Sequence, residues 1–189
     1  MKTIALVAEK GAGKGLFAEI IKKLLPNKRL VSVRFSDVLC DILDLLGKEK
    51  SRQNISTMAT VLRDTFQDEG LLTAVMRKRL QGIDADIFLL DGLRKEKEIP
   101  LVREYEGILI YITADQKIRF ERSSQRAEKS DEIGMTWEQF VAQEQMPTET
   151  SIRHIGETMA DVTIENNGSI EEFESSVKEF IDCYHIAGK

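Results

Sequence analysis

The sequence predicts a three-layer α/β/α domain built on a five-stranded parallel sheet. Three observations carry that prediction. Short apolar runs at Lys2 to Ala8, Leu30 to Phe35, Ile87 to Leu90, Ile108 to Ile112 and Ala160 to Glu165 alternate with stretches whose apolar residues recur at helical spacing. Strands that alternate with helices in this way build a parallel sheet covered on both faces. The first run passes directly into a glycine-rich turn and then a helical pattern, and the third ends in an acidic residue.

Taken in order, Ile4-Ala5-Leu6-Val7 is a short continuous apolar run, as a strand buried on both faces requires. Phe17, Ile20, Ile21, Leu24 and Leu25 then mark an amphipathic helix that Pro26-Asn27 stops. In the second strand Val31, Val33 and Phe35 alternate with Ser32 and Arg34. Ser36 is placed to cap a helix carrying Val38, Leu39, Ile42, Leu45 and Leu46, which Gly47 ends. After a charged connection over Lys48 to Gln53, Ile55, Met58, Ala59, Leu62 and Phe66 mark a further helix; Gly70 breaks it, and Leu71 to Leu80 continues as another. Glu96 to Tyr105 reads as a charged surface helix. Asp115 opens a helix bearing Arg119, Arg122 and Arg126, whose spacing places them on one face. Polar residues 127–135 read as a mobile tip. Thr136-Trp137-Glu138-Gln139 and Ser169-Ile170-Glu171-Glu172 are capping boxes. Pro147 interrupts the helix that the first box opens, and the second opens a final helix with Ile170, Phe173, Val177, Phe180 and Ile181 on one side.

The chemistry concentrates in Ala8-Glu9-Lys10-Gly11-Ala12-Gly13-Lys14-Gly15. Successive backbone N–H groups at a helix N-terminus curl around an oxyanion, Gly11 and Gly13 permit the φ values that the curl demands, and Lys14 adds a full positive charge for β- and γ-phosphates. Ala8 stands where the usual loop pattern has its first glycine, and Gly15 where it has the hydroxyl that touches Mg²⁺. In Asp91-Gly92-Leu93-Arg94 a carboxylate at the end of a buried strand faces the ligand crevice of an open α/β sheet, where it can hold Mg²⁺.

Composition bounds the rest. With 189 residues, the chain is one domain with a sizeable core. A net charge of −5 argues against a general nucleic-acid binder and leaves room for a local nucleotide site. No apolar run is long enough to span a membrane, Met1 to Val7 is too short and strand-like for a signal peptide, and Cys40 and Cys183 form no metal-ligand spacing, so the expected compartment is the cytoplasm. His154 has no acidic or cysteine partner pattern and is assigned no chemistry.

The chain resembles the P-loop nucleoside monophosphate kinases, in particular the adenylate-kinase-related and deoxynucleotide-kinase-like branches, with similarity to dephospho-CoA kinase. Gly11-Ala12-Gly13-Lys14-Gly15 is similar to the adenylate kinase loop, in which glycine also follows the lysine; Leu16 stands where those enzymes have threonine. Asp91-Gly92-Leu93-Arg94 resembles their Asp-Gly-Phe-Pro-Arg stretch, shortened by one residue. The resemblance implies that Lys10, Gly11, Ala12, Gly13, Lys14, Gly15 and Leu16 hold ATP, that Asp91 organises Mg²⁺, and that Arg94 contacts a phosphate. It implies an acceptor-binding region over 36–82, with Asp37 and Arg63 as acceptor contacts. It also implies a short lid over 119–136 with Arg119, Arg122 and Arg126, and a loop at Asn166 to Ser169, including Asn167 and Gly168, that flanks adenine.

The implied reaction is in-line transfer of the γ-phosphoryl of ATP to a nucleoside monophosphate-like acceptor, a chemistry of positioning and charge neutralisation. An anionic acceptor needs no base. A hydroxyl acceptor, as in dephospho-CoA kinase, wants a carboxylate, for which Asp37 is the candidate. An ATPase or switch module is the rival of another class; the chain has no Asn-Lys-x-Asp stretch, and Gly92 follows Asp91 where many motor-type ATPases carry glutamate. A non-catalytic nucleotide binder is the third reading. The expected partners are small-molecule nucleotides, for a monomer or homodimer.

Overall fold

The computed structural model describes residues 1–126 and 134–188, except for the side chains of Arg52 and Arg126. Its centre is a parallel five-stranded sheet in the order β2-β3-β1-β4-β5. The strands are β1 (Lys2–Ala8), β2 (Leu30–Arg34), β3 (Ile87–Asp91), β4 (Ile108–Thr113) and β5 (Val162–Glu165). The helices are α1 (Lys14–Leu24), α2 (Asp37–Leu45), α3 (Arg52–Phe66), α4 (Leu71–Leu80), α5 (Ile99–Glu104), α6 (Gln116–Arg126), α7 (Trp137–Glu144), α8 (Pro147–Met159) and α9 (Ile170–Cys183).

Side-chain alternation along the central strand divides the core into two layers. Ile4 and Leu6 of β1 join Phe17, Ile20 and Ile21 of α1 and Phe173, Val177 and Phe180 of α9. Ala5 and Val7 face the other way, toward Leu39 of α2, Met76 and Leu80 of α4, Val102 of α5 and Ile155 of α8. A strand with both faces covered has no polar position to spare, which is why β1 and β3 are continuous apolar runs. Because β1 lies between β3 and β4, the carboxyl ends of β1 and β3 open side by side onto the crevice where such sheets bind ligands.

Several local expectations are corrected. Ser36 makes no capping hydrogen bond; Asp37 instead accepts the Arg34 N–H through Oδ2 at 2.9 Å. On α2 the buried set is Val38, Leu39 and Leu43, while Leu45 is 88% exposed and Leu46 also faces outward. Phe66 and Ile170 are exposed as well. Residues 96–105 do not form one surface helix. A 3₁₀ turn, Glu96–Glu98, leads into α5, and Glu98, Ile99, Leu101 and Val102 are buried, so this segment closes the core over β1 and β4. Pro147 opens α8 at its first turn, where its missing N–H leaves no bond unmade. Both predicted capping boxes form, at Thr136–Gln139 and at Ser169–Glu172.

Candidate nucleotide and phosphoryl-transfer site

The loop between β1 and α1 takes the backbone shape that its glycines predict. Gly11 and Gly13 have φ of 78° and 105°, in the left-handed region. A Cβ on Gly11 would collide with the Arg119 carbonyl oxygen, and one on Gly13 with the Asn166 side-chain amide. Neither position therefore accepts a side chain. Gly15 differs: a Cβ there meets nothing within 4 Å. The hydroxyl position of the loop has room and simply lacks the oxygen.

Lys14 and Asp91 meet across the crevice. Lys14 Nζ is 2.6 Å from Asp91 Oδ1, and Arg34 Nε is 3.3 Å from Oδ2. Asp91 is 8% exposed, and its Oδ1 makes no hydrogen bond, so the Lys14 contact is an ion pair without hydrogen-bond alignment. A carboxylate oxygen in that state suits Mg²⁺, which keeps several of its waters and takes one or two carboxylates plus substrate phosphates. Among the described residues no group of three His, Cys, Asp or Glu forms a cage for a metal ion. Asp91 beside the loop thus fits the open mode of Mg²⁺ binding.

Beyond Asp91 the chain turns through Gly92, and a buried carboxylate organises the turn. Glu98 Oε2 accepts the N–H groups of Arg94 and Lys95 at 2.7 and 3.1 Å, and Arg63 reaches Glu98 Oε1 at 3.6 Å from α3. Burial pushes the Glu98 carboxyl above its ordinary value, against the pull of these amides and of the Arg63 and Arg94 charges. The Arg94 side chain extends to Glu149 of α8 at 3.4 Å, while the Arg94 carbonyl accepts from Ser151. Arg34, Arg63 and Arg94 therefore surround the β3 turn, each paired with a carboxylate, Asp91, Glu98 and Glu149 respectively. Asp37 stands at the start of α2, holding the Arg34 amide.

Arg119 does not project from a lid. It is 3% exposed and lies beneath the loop, where it contacts Glu9 at 3.3 Å and Glu144 at 2.9 Å, and donates to the Ala114 carbonyl at 2.8 Å and the Lys10 carbonyl at 3.3 Å. Burial works against its charge, but the hydrogen bond to Glu144 and the charges of Glu9 and Glu144 outweigh that, so its pKa is raised. Arg153 of α8 joins the same two carboxylates at 3.3 and 3.6 Å, and Thr113 donates to Glu9 at 2.5 Å. Burial, with Glu9 nearby, pushes the Tyr111 hydroxyl up to about 12. Lys10 lies beside α7, donating to Gln143 at 3.2 Å.

Arg122 binds the turn after β5, donating to the Asn166 carbonyl at 2.7 Å and reaching the Gly168 carbonyl at 3.4 Å. The Asn167 side chain accepts the Asp115 N–H at 2.7 Å, fastening that turn to the start of α6. The buried Asn166 amide donates to the Ala12 carbonyl at 2.9 Å. Arg126 lies at the end of α6 with its side chain outside the described residues, as do residues 127–133 of the predicted lid.

Sequence reasoning missed Glu9, Arg34, Glu98, Glu144 and Arg153, and it placed Asn166 in the adenine-flanking loop without its bond to the phosphate loop. Two of them left a signal. Glu144 lies four residues after buried Phe140, on the core face of α7, and Glu9 sits inside the loop itself, directly after a buried strand.

The chain resembles archaeal UPF0200 proteins. It is 27% identical over 177 residues to UPF0200 protein TK1334 of Thermococcus kodakarensis, covering 91% of this chain and 92% of that one. It is also 27% identical over 182 residues to a UPF0200 protein of Sulfurisphaera tokodaii, covering 96% of each. No protein-family model matches the chain. Among solved structures, TT1252 from Thermus thermophilus aligns with a TM-score of 0.55 at 17% identity, over 96% of each chain. Shikimate kinase from Acinetobacter baumannii in complex with shikimate aligns with a TM-score of 0.55 at 14% identity, over 97% of this chain and 93% of that one. At such identities the likeness concerns the fold: the α/β architecture with a five-stranded parallel sheet is shared with shikimate kinase. Among the described residues no helix is long and apolar enough to cross a membrane.

Proposed function

We propose that the chain is an ATP-dependent phosphotransferase that passes the γ-phosphoryl group to an anionic, nucleoside monophosphate-like acceptor. The observation that carries this reading is the meeting of the loop lysine with a buried strand-end carboxylate, Lys14 with Asp91 at 2.6 Å, beside a glycine loop whose two positive-φ residues tolerate no side chain. The shikimate kinase fold adds support from an independent direction.

In this reading the loop amides and Lys14 hold the β- and γ-phosphates, and Lys14 leaves Asp91 for them. Asp91 and the phosphates hold Mg²⁺, which when bound supplies charge neutralisation for the transferring group. Arg94 and Arg63 leave carboxylates of their own chain for the anionic acceptor and orient it in line. Arg119 holds the loop from beneath. Arg122, Asn167 and Gly168 form the wall that receives the base, and Arg126 belongs to the lid. An acceptor oxyanion attacks without a base; Asp37, the candidate base for a hydroxyl acceptor, accepts the Arg34 N–H through Oδ2.

The test is a coupled ADP-release assay with ATP and Mg²⁺ against all ribo- and deoxyribonucleoside monophosphates, dephospho-CoA and a control without acceptor. Release that depends on a monophosphate is the expected result and names the substrate. Release with dephospho-CoA alone would reassign Asp37 as a base. Release without any acceptor would make the protein an ATPase.

A further inference from the structure

We infer that Arg34 is a built-in counter-charge that competes with Mg²⁺ for Asp91 and thereby sets how much metal the nucleotide site requires. This rests on the nucleotide-site reading above. Arg34 and Asp91 are register partners on adjacent parallel strands, so the pairing is set by the sheet itself. Both oxygens of the Asp91 carboxylate face a protein cation, Lys14 on Oδ1 and Arg34 on Oδ2.

The two cations differ in what they can do next. Lys14 has a second destination, the nucleotide phosphates. Arg34 has its backbone fixed: its N–H donates to Asp37, and the Phe35 N–H donates to the Asp91 carbonyl at 3.1 Å. Its side chain is 65% exposed, so its head can turn into water only by giving up the contact with Asp91. A metal ion arriving at Asp91 must therefore displace or tolerate a guanidinium already there. Position 15 supplies no hydroxyl to help it, although the space for one is open. The arrangement leaves metal affinity to the balance between Arg34 and Mg²⁺ on one carboxylate. Removing one unit charge a few ångströms from a partly screened carboxylate changes its affinity for a second cation by about three- to tenfold.

The experiment measures binding of a non-hydrolysable ATP analogue by calorimetry, once in EDTA and once in saturating Mg²⁺, for the full chain and for Arg34→Ala, Arg34→Gln and Arg34→Lys. The readout is the ratio of the two dissociation constants, the gain due to metal. Arg34→Ala and Arg34→Gln are expected to widen that ratio by about three- to tenfold, because the metal-free nucleotide loses a cation while the metal gains an uncontested carboxylate. Arg34→Lys is expected to stay near wild type. Equal loss of affinity in both conditions would make Arg34 a direct nucleotide ligand and overturn the inference. An unchanged ratio with unchanged affinity would overturn it too, with the nucleotide site intact. A wild-type chain that binds no analogue in either condition would overturn the nucleotide-site reading as well.

Discussion

The two sides of the crevice are built differently. On the proposed donor side, Glu9, Arg119 and Glu144 are each less than a tenth exposed and share several partners drawn from the loop, α6, α7 and α8. On the proposed acceptor side, α2 to α4 bury Leu39, Leu72, Met76 and Leu80 against the sheet but show Leu45, Leu46, Val61 and Phe66 to solvent, and their outer faces carry single, more exposed pairs such as Arg79–Asp41 and Lys50–Asp44. Buried, multiply bonded groups resist local opening, and exposed ones permit it. If the proposed function holds, the difference means that the loop is held in shape before ligand arrives, while the region 36–82, proposed to bind the acceptor, is the more open to local movement.

Each prediction probes one side against the other. The largest effect belongs to the donor side: Lys14→Ala is expected to lower turnover by about two to three orders of magnitude, as loss of a charge aimed at the reacting group does, with an unchanged circular dichroism spectrum. Normal turnover would remove the loop from the chemistry. Next is stability. Arg119→Ala leaves two buried carboxylates short of a counter-charge and should cost about 3–5 kcal/mol in urea unfolding. The exposed-pair variant Arg79→Ala should cost less than about 1 kcal/mol. Similar losses for the two would erase the contrast between the sides.

On the acceptor side, Arg94→Ala is expected to raise the acceptor KM about tenfold while the ATP KM moves little, since one charge-assisted bond contributes about 1.5–3 kcal/mol; a change confined to ATP would reverse the polarity of the site. Gly15→Ser fits open space and should lower the Mg²⁺ concentration for half-maximal activity while stability stays within about 0.5 kcal/mol. The smallest effect concerns Glu98. Its carboxyl is raised from 4.5, so the folded chain holds that proton more firmly than the unfolded one. The resulting stabilisation is full below the unfolded value and is lost as pH rises through the folded value. The stability of wild type relative to Glu98→Gln should therefore fall on going from pH 4 to pH 7, and a difference independent of pH would show that Glu98 is not shifted.

The sheet was legible because strands buried on both faces write continuous apolar runs, and Lys14 and Asp91 were legible because each has its own local pattern, Lys14 opening α1 after the glycine loop and Asp91 ending β3. The carboxylates beneath the loop were not. Glu144 meets Arg119 from another helix, and Arg153 meets Glu9 from across most of the chain, so no local spacing records either pair. The arginine spacing on α6 did indicate a shared face, but spacing carries no information on depth, and the structure buries Arg119 while Arg122 binds the turn after β5. Leu45 and Leu46 read as core because helical apolar spacing extends one turn past the residues that pack.

The measurement that goes most directly to the central claim is phosphorus NMR of ATP and Mg²⁺ incubated with the chain and the acceptor that the assay panel names. The account predicts that the γ-phosphate signal falls as a new diphosphate signal rises on the acceptor, with little free phosphate. A γ-phosphate that appears only as inorganic phosphate, or that never leaves ATP, would contradict it.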